Sequence, residues 1–146
     1  MSIVAACLSR RRRIVNTLNS VIWRTTLQIE HIGVDGEATG GTVDALKRYA
    51  ASYNLRWLSE PDPGLSHEFS RGVAATIGEW LYFLNGDDYL VDYGAVDCVT
   101  GWIAAHLGHS IYLGGTDDVD KEGVEISYGS ESGIADACTS IRRNLP

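Results

Sequence analysis

The chain has 146 residues, 45% of them apolar and 21% charged, with a formal net charge of -7. That length suits one domain with one core, and the composition is that of an ordinary globular protein. The acidic balance argues against a general nucleic-acid binder, which carries a basic surface overall, and no apolar run approaches the ~18 residues needed to span a bilayer.

The start, MSIVAACLSRRRR, places a short apolar stretch before the charges, the reverse of a secretory leader. Cys7, Cys98 and Cys138 are odd in number and lack CxxC spacing, so neither a disulfide framework nor a zinc site is expected. A reducing compartment and a soluble, cytoplasmic chain follow as expectations.

In chain order, Ser2–Ala6 (SIVAA) reads as a first strand. Ile14, Leu18, Val21 and Ile22 recur at helical spacing and predict a helix over about Arg11 to Arg24. Ile29–Val34 is a second strand. After the turn DGEATGGT, Thr42 is expected to cap a helix with Val43, Leu46, Tyr49 and Ala50 on one face. Leu55–Leu58 is a short third strand closed by EPDPG. The next helix runs from Leu65 to about Ile77, with Phe69, Val73 and Ile77 four apart and Gly78 as its stop. Trp80–Leu84 is apolar on both faces, as a central parallel strand should be. A helix at Ala95–Leu107 follows, then strands at Ile111–Leu113 and, after a turn at Lys121-Glu122-Gly123, at Val124–Tyr128.

Strand and helix in alternation imply right-handed crossovers and a mainly parallel sheet with helices on both faces. In such α/β sheets a ligand binds outside the carboxyl ends of the strands. The loops leaving those ends carry Leu8-Ser9-Arg10, then Asp35-Gly36, then Glu60 and Asp62, then Asn85 to Asp88. All four should meet along one edge.

Asp87 and Asp88 place two like charges side by side at that edge. A divalent cation relieves their repulsion, and magnesium or manganese is typically held by one or two carboxylates plus substrate phosphates. The plainer reading is a polar turn that caps the next segment.

VDGEATGGT, EPDPGLSHEFSRG and GEWLYFLNGDDYL, in this order, resemble family 2 glycosyltransferases of the GT-A fold, and the resemblance covers essentially the whole chain. The nearest subgroup is that of small bacterial enzymes of cell-surface polysaccharide synthesis. The resemblance implies a Rossmann-like three-layer α/β sandwich, a single domain over residues 1–146, a nucleoside diphosphate sugar donor, and Mg2+ or Mn2+. By the same analogy Asp35 contacts the nucleobase, Asp87 lies near the ribose and binds the metal together with Asp88, and Ser9, Asp62 and Arg71 complete the donor site. The metal would stabilise charge on the departing diphosphate.

The chain departs from the family pattern in places. Leu8 stands where an aromatic stacks on the base, and Ser9 where Asn is usual. Gly40 replaces a second Asp, Ser70 an Asn and His67 an Asp. The family's C-terminal half, which holds the acceptor site and the base, would begin about where this chain stops. The catalytic base is therefore unassigned and expected beyond Pro146. The expected reaction is transfer of a hexose to a glycan or lipid-linked acceptor. The alternative is a non-catalytic remnant or donor-binding half-domain. A phosphoryl-transfer enzyme using the Asp pair fits less well, because Asn85 occupies the position of its nucleophile.

Arg10 to Arg13 hold four of the 12 basic residues at a helix start, where cations oppose the helix dipole. They read as a solvated helix entrance, as groups facing the diphosphate, or as a peripheral attachment to anionic lipid at the inner membrane face. Arg71 reads equally as an exposed helix residue. His31, His106 and His109 share no ligand spacing, and His67-Glu68 is not a zinc helix. Asp117, Asp118 and Asp120 read as a solvated loop, with a supporting role near the metal as the second choice.

Overall fold

A computed structural model describes residues 1–7, 11–23, 29–36, 41–61, 64–90, 93–108, 110–111, 115–120, 124 and 139–144. Strand β1 (Ser2–Ala6) is buried at every position. Its neighbours are β2 (Glu30–Asp35) and β4 (Leu81–Asn85), and β3 (Leu55–Ser59) lies beyond β2. All these pairings are parallel, in the order β3-β2-β1-β4.

Helices α1 (Arg11–Ile22) and α2 (Gly41–Ala50) cover one face of the sheet, and α3 (Leu65–Ala75) covers the other. Right-handed crossovers demand this: the chain steps from β1 to β2 to β3 in one direction, then returns past β1 to place β4. The α1/α2 side buries Ala5, Cys7, Ile14, Leu18, Ala45, Leu46 and Leu55 together. A second cluster joins Ile3, Val21 and Ile29 to Leu84, Leu90, Ala95 and Val96, tying in strand β5 (Tyr89–Leu90) and helix α4 (Ala95–Ala105). A smaller sheet sets β5 antiparallel to β7 (Thr139–Asn144), and β7 parallel to β6 (Gly115–Val119). The expected three-layer parallel α/β architecture is the one observed.

Several local expectations need correcting. Of the described strands β4 is at a border, not in the middle, and Phe83 is 49% exposed where it meets Phe69 edge-on at 5.2 Å. An apolar strand is equally served by a helix on one face. Thr42 is not a cap but the second residue of α2, buried, with no hydrogen-bond partner for its hydroxyl among the described residues. Asp117 and Asp118 belong to β6, paired in register with Arg142 and Arg143, because a strand partner distant in sequence overrode their turn propensity. Strands β5, β6 and β7 were not foreseen; of the anticipated Ile111–Leu113 strand only Ile111 is described, and it is not in a strand, while the anticipated Val124–Tyr128 strand falls, apart from Val124, outside the described residues. Cys98 is disulfide-bonded and Cys7 free, against the expectation of no disulfide. Spacing rules detect local cysteine motifs, not pairs that the fold brings together.

Helix α3 also turns a different face inward. The apolar spacing favours Phe69, Val73 and Ile77, yet Val73 is exposed, Ile77 lies beyond the helix, and the buried residues are Glu68 and Gly72. Glycine explains the rotation. A Cβ on Gly72 would lie 2.3 Å from Val4 Cγ1 and 3.2 Å from Val34 Cγ2, so its absence lets the helix settle onto the sheet. Both neighbours are β-branched and stiff. We expect Gly72→Ala to destabilise the fold by about 1–3 kcal/mol from overpacking, despite alanine's better helix propensity. Urea unfolding checks it, and a neutral or stabilised variant would contradict the close approach.

His31 sits fully buried on β2 with Nδ1 2.8 Å from the Tyr53 hydroxyl and no partner for Nε2 among the described residues. Burial pushes its pKa down from 6.5 to about 3. The unfolded chain therefore binds one proton more than the folded chain between those values. Stability is full above about pH 6.5 and falls by about 1.4 kcal/mol per pH unit as the pH drops through that window. We expect the stability lost between pH 7 and pH 5 to shrink by about 2 kcal/mol in His31→Asn. Identical pH dependence in the two proteins would show that His31 is not the titrating group.

Candidate functional site

Parallel register decides which groups meet. Ala6 is level with Val34 on β2 and with Asn85 on β4, so Cys7, Asp35 and Gly86 follow at one height. The Cys7 N–H donates to Val34 O at 2.7 Å, and the Gly86 N–H donates to Ala6 O at 2.6 Å. A Cβ at Gly86 would come within 2.7 Å of Ala6 O and 2.9 Å of Cys7 Cα. Only glycine lets the chain leaving β4 press against the end of β1. The crossover from β1 to β2 runs over one face through α1 and that from β3 to β4 over the other through α3, so the strand order reverses at β1/β4, which makes this gap the switch point where doubly wound sheets bind ligands.

Cys7 reports the charge collected there. Its thiol is pushed up strongly, first by burial and then by the negative charges of Asp35, Glu68 and Asp87. Asp35 is buried; its Oδ2 accepts from Ser59 Oγ at 3.2 Å, and its carbonyl accepts from the Glu60 N–H at 3.1 Å. Asp87 lies on the more open side, with Arg13 Nη1 3.5 Å from its Oδ2 and side chains 29% and 20% exposed respectively. Asp88 is only 4% exposed. Its Oδ2 accepts from Asn85 Nδ2 at 2.8 Å, and its carbonyl accepts from Thr17 Oγ1 at 2.6 Å. Ser20 Oγ accepts the Leu90 N–H at 3.1 Å. Helix α1 therefore clamps the NGDDYL turn from beneath, leaving Asp87 as the carboxylate of the pair nearer solvent.

The other anticipated residues divide. Arg71, on α3, spans back to Glu60 through Nη2 to Oε2 at 3.1 Å and Nη1 to the carbonyl at 3.2 Å. It braces the loop after β3. Ser9 and Asp62 lie outside the described residues. The rest converge.

One participant was missed. Glu68 is fully buried on α3, and its Oε1 accepts the Gly36 N–H at 3.1 Å, just past Asp35. The helix pattern marked position 68 as part of the polar side, and only the rotation forced by Gly72 turns it inward. Glu30, likewise unforeseen, is buried at the opposite edge among Ser2 Oγ (2.7 Å), Arg56 Nη1 (2.9 Å) and the Ile77 N–H (3.0 Å). Burial alone would raise its pKa, but the Ile77, Ser2 and Arg56 donors together hold it below the usual carboxylate range.

A metal can be tested against this donor set. No group of three acidic, His or Cys side chains able to hold an ion occurs among the described residues. A closed all-protein cage does not fit, whereas a magnesium- or manganese-type site does, since that ion keeps one or two carboxylates and takes phosphates for the rest. Asp87 and Asp88 are the residues that would hold it.

A parallel sheet in the order β3-β2-β1-β4 with helices on both faces is an architecture shared with solved GT-A glycosyltransferases. The S. aureus TarS 1-349 complex with UDP-GlcNAc superposes with a TM-score of 0.70 at 17% identity, over 98% of this chain and 45% of that one. The mannosyltransferase PcManGT of Pyrobaculum calidifontis, in complex with GDP-Man and Mn2+, gives 0.66 at 17% identity, over 82% and 35%. Residues 2–142 match Glycosyl transferase family 2, and the chain belongs to that family. A PGL/p-HBAD biosynthesis glycosyltransferase of Mycobacterium tuberculosis is 29% identical over 99 residues, 66% of this chain. The chain spans 39% of that relative's length. Among the described residues no helix is long and apolar enough to cross a membrane.

Glu68→Ala would leave the Gly36 N–H without this acceptor in a buried setting, at a cost of about 1–3 kcal/mol. Glu68→Gln keeps an acceptor oxygen and should recover most of it. Chemical denaturation of both variants is the check; equal loss in both would point to charge rather than the hydrogen bond.

Proposed function

We propose that these 146 residues form the donor-binding domain of a metal-dependent glycosyltransferase that moves a hexose from a nucleoside diphosphate sugar to a glycan or lipid-linked acceptor. The observation that carries this reading is the convergence of Asp35 and Asp87 beside the end of β1 in a family 2 fold. Asp35 takes the nucleobase, and Asp87 with Asp88 takes Mg2+ or Mn2+. The ion, when bound, stabilises the charge that builds on the leaving diphosphate. Asn85, Thr17 and Ser20 hold the turn so that Asp87 is presented without reorganisation. Arg71 fixes the β3–α3 loop at the same edge through Glu60. The neighbours solved with UDP-GlcNAc and with GDP-Man and Mn2+ support this class of donor and ion.

Acceptor chemistry belongs elsewhere in this reading. The chain spans 39% of the length of the relative it matches, and in this reading none of the donor-site residues takes the acceptor hydroxyl's proton. A non-catalytic domain that only binds the donor is the second reading, favoured by Leu8, Gly40 and Ser70. Action at the inner face of the membrane suits a lipid-linked acceptor.

Calorimetric titration with UDP and with GDP, in manganese and in chelator, tests the site. At least one nucleotide should bind more tightly with metal. Asp87→Asn should reduce that metal-dependent gain by about ten- to a hundredfold with little change in folding stability, whereas Asp88→Asn should lower stability as well, because its carboxylate is buried against Asn85. Equal affinity with and without metal would remove the carboxylate pair from the donor site.

A further inference from the structure

The Arg13–Asp87 ion pair lies across the β1/β4 crevice, joining α1 to the turn after β4. Arg13 is the third residue of α1, where the helix dipole disfavours a cation. Its position is tolerable because an anion faces it. That anion is the same carboxylate that a divalent ion would take, and a guanidinium beside a bound divalent ion is repelled. The two cations therefore compete for Asp87.

We propose that Arg13 is a resident counter-ion that exchanges partners: it neutralises Asp87 before the donor arrives, and is released to the donor's diphosphate when the metal takes Asp87. The inference rests on the donor-site reading above. Three observations favour it. Asp35, Glu68 and Asp87 make this edge negative as seen from Cys7, so a diphosphate needs a positive group there besides the metal. Helix α1 begins close after the carboxyl end of β1, on the ligand side of the sheet. The pair is partly exposed at 3.5 Å, loose enough to open and close enough to bias metal binding. A guanidinium released from a carboxylate is also suited to phosphate, which accepts the same paired donors.

The exchange makes a prediction with opposite signs for the two ligands. With Arg13→Gln the metal no longer competes, so manganese alone, followed by the paramagnetic resonance of the free ion, should bind about two- to fivefold tighter, in line with a surface ion pair. UDP or GDP in the presence of manganese, followed by calorimetry, should bind about tenfold weaker, as expected for one lost charge-assisted contact. Arg13→Lys retains the positive charge and should stay closer to wild type in both titrations, and thermal melts should show all three proteins folded. The proposal is overturned if Arg13→Gln leaves either affinity unchanged, shifts both in the same direction, or if neither protein binds manganese. Wild-type protein that binds manganese but neither nucleotide would instead sink the donor-site reading, and the exchange with it. The two failures are distinguishable because the second appears without any mutation.

Discussion

Everything at the upper edge of this protein depends on the parallel register of β1 with its two neighbours. Because Ala6 is level with both Val34 and Asn85, three chain segments reach the end of the sheet together. A one-residue slip in a strand would turn its side chains to the opposite face, and Asp35 would no longer lie beside Cys7. The register is enforced by burial: β1 and β2 are inaccessible along their whole length, so no slipped arrangement can keep Val4 against Gly72 and Gly33 beneath Leu46 at once. Packing far from any ligand thus sets the position of the acids.

The strand-helix alternation and parallel sheet were legible because apolar runs and turn signals agree in this chain: SIVAA and the run into NGDDYL could scarcely be anything but strands, although only the first is buried throughout. The acidic pair and Asp35 were legible for a related reason, as polar residues directly following apolar strands. The orientation of α3 was not. Apolar spacing pointed to Phe69, Val73 and Ile77, while the buried side is chosen by Gly72, a residue with no hydrophobicity to register. Once a helix packs by its glycine, the side chain one turn earlier follows it inward, and here that is Glu68. The small second sheet was equally hidden. Its central strand, Thr139–Asn144, contains Ser, two arginines and Asn, and it is a strand because β5 and β6 flank it, not because its own sequence demands it.

Comparison of the two sheet edges separates scaffold from site. At the amino edge Glu30 is surrounded by donors from Ser2, Arg56 and Ile77, and the Ser2 hydroxyl in turn accepts the Gly78 N–H at 2.9 Å. Donors and acceptor are matched, so the carboxylate is stable as it stands and ties the return of β4 to β1 and β2. At the carboxyl edge three acids are gathered instead, each held by a different group: Asp35 by Ser59, Glu68 by the Gly36 N–H and Asp87 by Arg13. Asp35, Glu68 and Asp87 all raise the Cys7 thiol, which means their charges act on one small volume.

Concentrating like charge in a partly desolvated space lowers the stability of the fold, and three acids acting on one buried thiol carry that cost here. Such a local concentration of charge is a feature of functional sites. The hydrogen bonds present support this reading by their direction: Asn85, Thr17 and Ser20 restrain the turn and its backbone, while the pairing of Asp87 comes from Arg13, across the crevice and on another element. The turn is fixed, and Arg13 stands against its outer charge. A rigid carboxylate with a displaceable counter-ion is the arrangement that the proposed metal-bridged diphosphate would require, and here the counter-ion comes from a helix that begins with arginines where its own dipole would prefer acids.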